Sequence, residues 1–168
     1  MTELRPYRPD DAAAVLSWIR DERSFRLWSA DRYNAYPITP EEMNAHYAAL
    51  AGSGRFFPMT MTEEEEPASH LILRYPEQDT RTVRLGFIIV DSSRRGRGLG
   101  KTMLGLAARH AFADMGAERV TLGVFADNIP ARRCYLSAGF REVPDKEPET
   151  YRIMDEDWLC IEMELSRI

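Results

Sequence analysis

Arg94-Arg95-Gly96-Arg97-Gly98-Leu99-Gly100-Lys101 is the stretch on which the reading of this chain turns. It follows a strand-like apolar run, Val83 to Val90, and opens a helix-like run from about Leu99 to Met115. Glycine has no Cβ, so such a backbone curls closely around a ligand. The helix N-terminus behind it presents unpaired N–H groups and the positive end of the helix dipole. Three arginines and a lysine surround this nest, and the guest to expect is a pyrophosphate.

Spacing separates one kind of phosphate loop from another. A Walker A loop has a glycine, four residues, then Gly-Lys-Ser/Thr. Gly100-Lys101-Thr102 supplies the end, but Arg95 stands where the first glycine belongs, which counts against a nucleotide hydrolase. The dinucleotide pattern G-x-G-x-x-G fails too, because Lys101 occupies its last position. Arg-x-x-Gly-x-Gly does fit, as Arg95, Gly98 and Gly100. In this it resembles the acyl-CoA pyrophosphate loop of the GNAT superfamily of N-acetyltransferases.

A second motif lies further along. Val120 to Phe125 alternates as a strand, with Val120, Leu122 and Val124 on one face. Asn128 then suits a helix N-cap, Pro130 a first turn and Gly139 a C-terminal cap. The run Asn128-x-x-Ala131-x-x-x-Tyr135-x-x-x-Gly139-Phe140 resembles the fourth-helix signature of the same superfamily.

Composition frames these motifs. With 168 residues, 44% of them hydrophobic and 29% charged, residues 1–168 suit a single N-acetyltransferase domain with a substantial core. No apolar run is long enough to cross a membrane and the N-terminus lacks a signal-peptide pattern, so the expectation is a cytoplasmic protein with no membrane partner. Cys134 and Cys160 have no metal-binding spacing and imply no disulfide framework. A net charge of −5 argues against nucleic acid as a partner. It is compatible with a cationic acceptor, although net charge does not describe a pocket.

The pass along the chain gives a mixed α/β (α+β) fold. Leu4 to Arg8 is strand-like, and Asp10 or Asp11 suits the cap of a helix through Trp18-Ile19. Arg26 to Pro37 is aromatic and irregular. Thr39-Pro40-Glu41-Glu42 is a capping box opening a helix to about Ala51, which Gly52-Ser53-Gly54 ends. Strands follow at Arg55 to Thr62, Ser69 to Tyr75 and Thr82 to Val90. Two closing strands, Glu149 to Met154 and Trp158 to Leu165, are joined by the turn Met154-Asp155-Glu156-Asp157. In the last, Leu159, Ile161, Met163 and Leu165 read as the inward face. The total is about seven strands, mostly antiparallel in a central mixed sheet, flanked by about four helices. That order is similar to the GNAT acyl-CoA N-acyltransferase architecture. The early helices and the hairpin-like end resemble its ribosomal-protein N-terminal acetyltransferase (Rim-like) group.

The resemblance implies a site with acetyl-CoA as cofactor and no metal. The pantetheine arm would pair with main-chain groups of Ile88 and Val90, though both also read as plain core residues. The pyrophosphate would rest on Arg95, Gly96, Arg97, Gly98, Leu99, Gly100 and Lys101, with the Arg95 and Arg97 side chains as charge partners. Asn128 would bind the pantetheine region, and Arg132 or Arg133 would reach the adenosine phosphate. Tyr135 is the catalytic candidate, a phenol that protonates the departing thiolate; its other reading is a packed core tyrosine. A main-chain N–H of the fourth strand, that of Ile88, would meet charge on the carbonyl oxygen. No general base is evident, and Asp91 or Glu162 would serve only through water. For the acceptor, a small amine or a peptide N-terminus, Phe25, Trp28, Tyr33 and Tyr36 read equally as a wall near the thioester or as core. Glu63 to Glu66 reads as a solvated hairpin tip, or as a rim attractive to amines. A homodimer would be ordinary for such a protein. A non-catalytic acyl-CoA-binding module is the alternative.

Overall fold

Strands that are apolar on both faces need cover on both sides, and the chain supplies it with two groups of helices. The computed structural model describes residues 1–76 and 79–167. Among the described residues, eight strands form one sheet: β1 (Thr2–Pro6), β2 (Phe56–Glu63), β3 (Glu66–Arg74), β4 (Thr82–Val90), β5 (Arg119–Phe125), β6 (Arg141–Glu142), β7 (Glu149–Ile153) and β8 (Glu156–Ser166). Their order is β1-β2-β3-β4-β5-β8-β6, with β7 also on β8, and only β4 and β5 run parallel.

The helices are α1 (Asp11–Ser17), α2 (Glu22–Ser29), α3 (Pro40–Ala51), α4 (Leu99–Ala113) and α5 (Ile129–Ser137). On one face Met103, Leu104, Ala107 and Ala111 of α4 pack with Leu71, Leu73, Val83, Val120, Leu122 and Phe140. On the other, Ala12, Val15, Phe25, Met43 and Tyr47 from α1 to α3 cover Phe56, Ile72 and Ile89.

Local signals explain most of the boundaries. The capping box at α3 is present in full, with Thr39 and Glu42 exchanging side-chain and main-chain bonds. Helix α2 takes up part of the stretch whose sequence reads as irregular. Asp21 caps it by accepting the Ser24 N–H at 2.7 Å, and its Phe25 and Trp28 are buried. At α1, Asp10 makes no side-chain cap bond. Asp11 lies inside the helix instead, buried and bonded by Arg5 at 2.8 and 2.9 Å and by Thr60 at 2.9 Å.

The face expected for β8 reverses at its start. Leu159 is 48% exposed, whereas Trp158 is buried, edge-on to Phe125 at 5.1 Å and beneath the Arg23 guanidinium at 4.9 Å. Cation–π and aromatic packing on that side outweigh the burial of one leucine. The acidic hairpin is present, with Glu64 and Glu65 at φ 52 and 70 in its turn. Its Glu63, however, reaches Arg94 at 2.9 Å and Arg97 at 3.1 Å. That carboxylate braces the glycine loop and is not part of an amine-binding rim.

Two departures from regular sheet geometry open the middle of the sheet. β4 and β5 are in register only from Thr82↔Arg119 to Arg84↔Thr121, and then diverge. Opposite His70 and Ile72, β4 carries one extra residue, a bulge that puts Phe87 at φ 49. A non-glycine residue there is strained by about 1–3 kcal/mol and persists only if its surroundings hold it.

Candidate active site

Where β4 and β5 part, the sheet opens into two adjoining cavities, of about 910 Å³ and about 380 Å³. They share Trp28 of α2, Leu85, Gly86 and Phe87 of β4, Gly123 of β5, Asn128 and Tyr135. The cleft therefore runs through the sheet, with β4 as one bank and the start of α5 as the other.

The larger cavity ends at the glycine loop. Gly96 and Gly98 sit at φ 80 and 75, a left-handed region that no other residue type occupies cheaply, and Gly98 is the residue from which α4 starts. Arg95, Gly96, Gly98, Leu99, Gly100 and Lys101 line this end, with Ile88 and Val90 along the β4 bank and Arg133 from α5. Asp91 fixes the approach to the loop by accepting the Ser93 N–H at 2.9 Å and the Ser93 hydroxyl at 2.8 Å. Gly100 is tight for another reason: a Cβ there would lie 3.0 Å from Cys134 Sγ, so glycine lets α4 and α5 approach. Arg97 departs from expectation. Its guanidinium is held by Glu63 and does not line the cavity. Arg132 is likewise engaged, with Glu142 at 2.7 Å, which leaves Arg133 as the arginine of α5 that faces the cleft.

Tyr135 stands where the cavities meet. It is 7% exposed, and among the described residues its hydroxyl has no hydrogen-bond partner. Burial pushes the phenol well above its ordinary pKa, so it keeps its proton at neutral pH. Asn128 opens α5 without a side-chain cap bond and lines both cavities. Trp28 holds the bulge: its indole Nε1–H donates to the Phe87 carbonyl at 3.0 Å. Tyr33 and Tyr36, expected as a wall beside it, line neither cavity. Tyr33 stacks behind Trp28 at 6.3 Å and meets His46 Nδ1 at 2.8 Å, while Tyr36 packs 5.1 Å from Phe25. These rings are backing, and of Phe25, Trp28, Tyr33 and Tyr36 only Trp28 lines the cleft.

The smaller cavity holds a feature that sequence reasoning missed. Arg32, Arg55, Arg74 and Arg84 line it, and among the described residues no carboxylate or histidine does. Arg84 crosses β5 to Glu162, Nη1 donating to both oxygens at 2.8 and 2.9 Å, with Lys146 Nζ 3.8 Å from the same carboxylate. The path exists because residue 123 is glycine: a Cβ there would lie 2.9 Å from Arg84 Nη2 and 2.8 Å from Cys160 Sγ. Arg55 donates to the Tyr75 carbonyl at 3.0 Å.

Both carboxylates considered as distant bases are therefore committed, Asp91 to Ser93 and Arg94, and Glu162 to Arg84. Among the described residues no histidine lines either cavity. His70 is fully buried against the Tyr47 hydroxyl at 2.8 Å, and burial lowers its pKa to about 3, so it stays neutral. Among the described residues no group of histidine, cysteine and carboxylate side chains is placed to bind a metal, and no helix is long and apolar enough to cross a membrane.

A splayed β4–β5 pair, a left-handed glycine nest and a buried tyrosine at their junction together define an acetyltransferase fold. The chain belongs to the Acetyltransferase (GNAT) family, whose profile matches residues 16–140 and whose acetyl donor is acetyl-CoA. Similar solved structures include spermidine N-acetyltransferase from Vibrio cholerae in complex with CoA and spermine. It is 16% identical, with a TM-score of 0.81 over 98% of this chain and 95% of that one. RimJ of Mycobacterium smegmatis in complex with CoA-disulfide is 21% identical, TM-score 0.78, over 98% and 81%. A candidate phosphinothricin N-acetyltransferase is 20% identical, TM-score 0.76, over 99% and 98%. At these identities the likeness is one of fold. The larger cavity suits the family's cofactor on its own geometry. It has main-chain donors at a helix N-terminus, a β4 edge unpaired beyond Arg84, and an asparagine amide not used for capping.

Proposed function

We propose that this protein transfers an acetyl group from acetyl-CoA to a primary amine, on a small molecule or a peptide N-terminus, by direct attack while both are bound, residues 1–168 acting as one domain. The observation that carries the reading is the unpartnered, protonated Tyr135 hydroxyl where the two cavities join. Acetyl-CoA, when bound, supplies a thioester with an electrophilic acyl carbon and a sulfur that leaves as thiolate.

The chain's own groups divide the remaining work. Main-chain N–H groups of residues 95–101 receive the diphosphate, with Arg95, Lys101 and Arg133 adding charge. Ile88 and Val90 offer the unpaired strand edge to the pantetheine arm, and Asn128 adds a side-chain amide. Trp28 holds the Phe87 bulge, which keeps the neighbouring Ile88 N–H available to a carbonyl oxygen. Tyr135 keeps its proton until a thiolate forms beside it and then donates. Deprotonation of the amine needs no adjacent carboxylate here: the cationic lining of the smaller cavity lowers an ammonium pKa and favours the neutral amine.

Replacing Tyr135 with phenylalanine tests the reading. Acetyl-CoA affinity by calorimetry is expected to change by less than about threefold. Turnover, followed as free thiol released, is expected to fall about 10²-fold, the typical worth of a positioned acid. Full turnover in Y135F removes Tyr135 from this role. Cofactor binding with no turnover on any amine supports a non-catalytic acyl-CoA-binding module, which the lack of a carboxylate or histidine among the described residues lining the smaller cavity favours.

A further inference from the structure

Arg74 is a costly residue for this fold. In the β3–β4 ladder it stands directly opposite Arg84, and like charges facing each other across a ladder destabilise it. Arg84 is compensated by Glu162, but among the described residues Arg74 has no carboxylate within ion-pair distance and no hydrogen-bond acceptor. It is half-buried, and burial with the charges of Arg84, Arg32 and Arg55 pulls its pKa down. Nearby, Arg55 Nε is buried with no acceptor of its own. Tyr151, from β7, closes the same cavity.

A guanidinium kept beside three others, short of protein acceptors, is suited to receive an anion from outside the chain. Its planar fork matches a carboxylate or a phosphorus oxyanion in two-point contact. We infer that the acceptor, on the acetyltransferase reading above, is an amine that also carries an oxyanion, and that Arg74 receives that oxyanion in the smaller cavity. The amine then lies toward Trp28, Gly86 and Tyr135, where the cavities join. Arg84 and its partner Arg74 stand two strand residues away from Gly86, about 7 Å of backbone, a gap bridged jointly by the long arginine side chain and a small amino acid or aminoalkylphosphonate. The volume of about 380 Å³ is that of a small-molecule site. A polyamine meets the opposite: among the described residues no lining carboxylate receives its ammonium groups, and four arginines repel them.

The test pairs each acceptor with an analogue lacking the anion. Amino acids and aminoalkylphosphonates are compared with the corresponding anion-free amines and with spermidine, by thiol release from acetyl-CoA. The anionic amines are expected to have kcat/KM at least about tenfold higher, and R74Q to raise their KM about 10- to 100-fold, the worth of hydrogen bonds to a charged group. R74K, which keeps the charge and loses the fork, is expected to fall between. Acetyl-CoA affinity by calorimetry stays unaltered in both, because Arg74 does not line the larger cavity. A second readout needs no turnover: methylphosphonate and glutarate, titrated into the CoA-saturated protein, bind the wild type and lose affinity in R74Q. Preference for spermidine or anion-free amines, or R74Q indistinguishable from wild type in KM and in anion binding, overturns the inference and leaves the acetyltransferase reading standing. Anion binding that depends on Arg74 without acetylation of any amine has the reverse meaning, a real anion subsite on a protein that is not a transferase.

Discussion

Gly123 is the position at which one methyl group reports on the whole smaller cavity. Alanine there puts a Cβ 2.9 Å from Arg84 Nη2, against the 3.4 Å at which ordinary contact begins, so the guanidinium must retreat by 0.5 Å or the strand must move. Cys160 Sγ, at 2.8 Å on the neighbouring strand, blocks the easy route. Retreat lengthens the bonds that Arg84 Nη1 makes to both oxygens of Glu162, now 2.8 and 2.9 Å. Weakening a charge-assisted bond of this kind costs about 1.5–3 kcal/mol. The pair is about a fifth exposed, its side chains 24% and 16% accessible, which favours the lower end. Overpacking adds about 1 kcal/mol or more, and replacing glycine returns about 0.5–1 kcal/mol through the unfolded chain. The net is a loss of about 1–3 kcal/mol, read calorimetrically as a fall in Tm of about 2–10 °C for a chain of this size. The decisive arm is a double-mutant cycle with E162Q: once the ion pair is gone, G123A should cost about 1 kcal/mol less than in the wild type. Equal cost in both backgrounds refutes the claim that Gly123 exists to let Arg84 pass.

Two further expectations rest on other parts of the molecule. Asp11 is pushed up by burial, but Arg5, the Arg8 N–H and Thr60 together outweigh that and hold its pKa below the unfolded value of 3.8. Its contribution is therefore complete above that value and lost as pH falls through the lower folded one. D11N should cost about 3 kcal/mol at pH 7, as breaking a buried pair does, and should flatten the dependence of Tm on pH below about 4; an unchanged acid limb excludes Asp11 as its source. W28F removes the donor to the Phe87 carbonyl and leaves a strained residue unheld. Turnover should fall about tenfold, the worth of one hydrogen bond at a buried acceptor, and unchanged kcat with the bulge intact would separate Trp28 from the bulge.

The parts of this site that could be read in the sequence are those fixed by neighbours along the chain. Left-handed glycines at 96 and 98, a helix starting behind them and the box at Thr39 are local devices, so their spacing survives into the fold. Helix α2 was obscured because Phe25 and Trp28 are poor helix formers, and burial of those rings overrides their propensity. Strand β6 has two residues and exists only because β8 offers it an edge. The arginine cavity was invisible for a stronger reason. Arg55, Arg74 and Arg84 precede or lie on three different strands, each an ordinary charged residue, and ladder register alone brings them to one wall.

That register also gives the cavities a charge that net charge does not describe. The sequence carries 27 acidic and 22 basic residues, a balance that reads as hospitable to a cation. The fold uses its carboxylates elsewhere. Glu63 neutralises Arg94 and Arg97 behind the loop, Glu162 is committed to Arg84, and Glu142 takes Arg132 away from the cleft. Without a carboxylate partner among the described residues, Arg32, Arg55 and Arg74 remain at one end of the two cavities and Arg95, Lys101 and Arg133 at the other, with Asp127 the one carboxylate among the described lining residues. An apolar cleft concentrates such a field. An acidic protein thus presents a basic channel, and on the inference above that field would admit and orient an acceptor arriving as a neutral amine with an anionic tail.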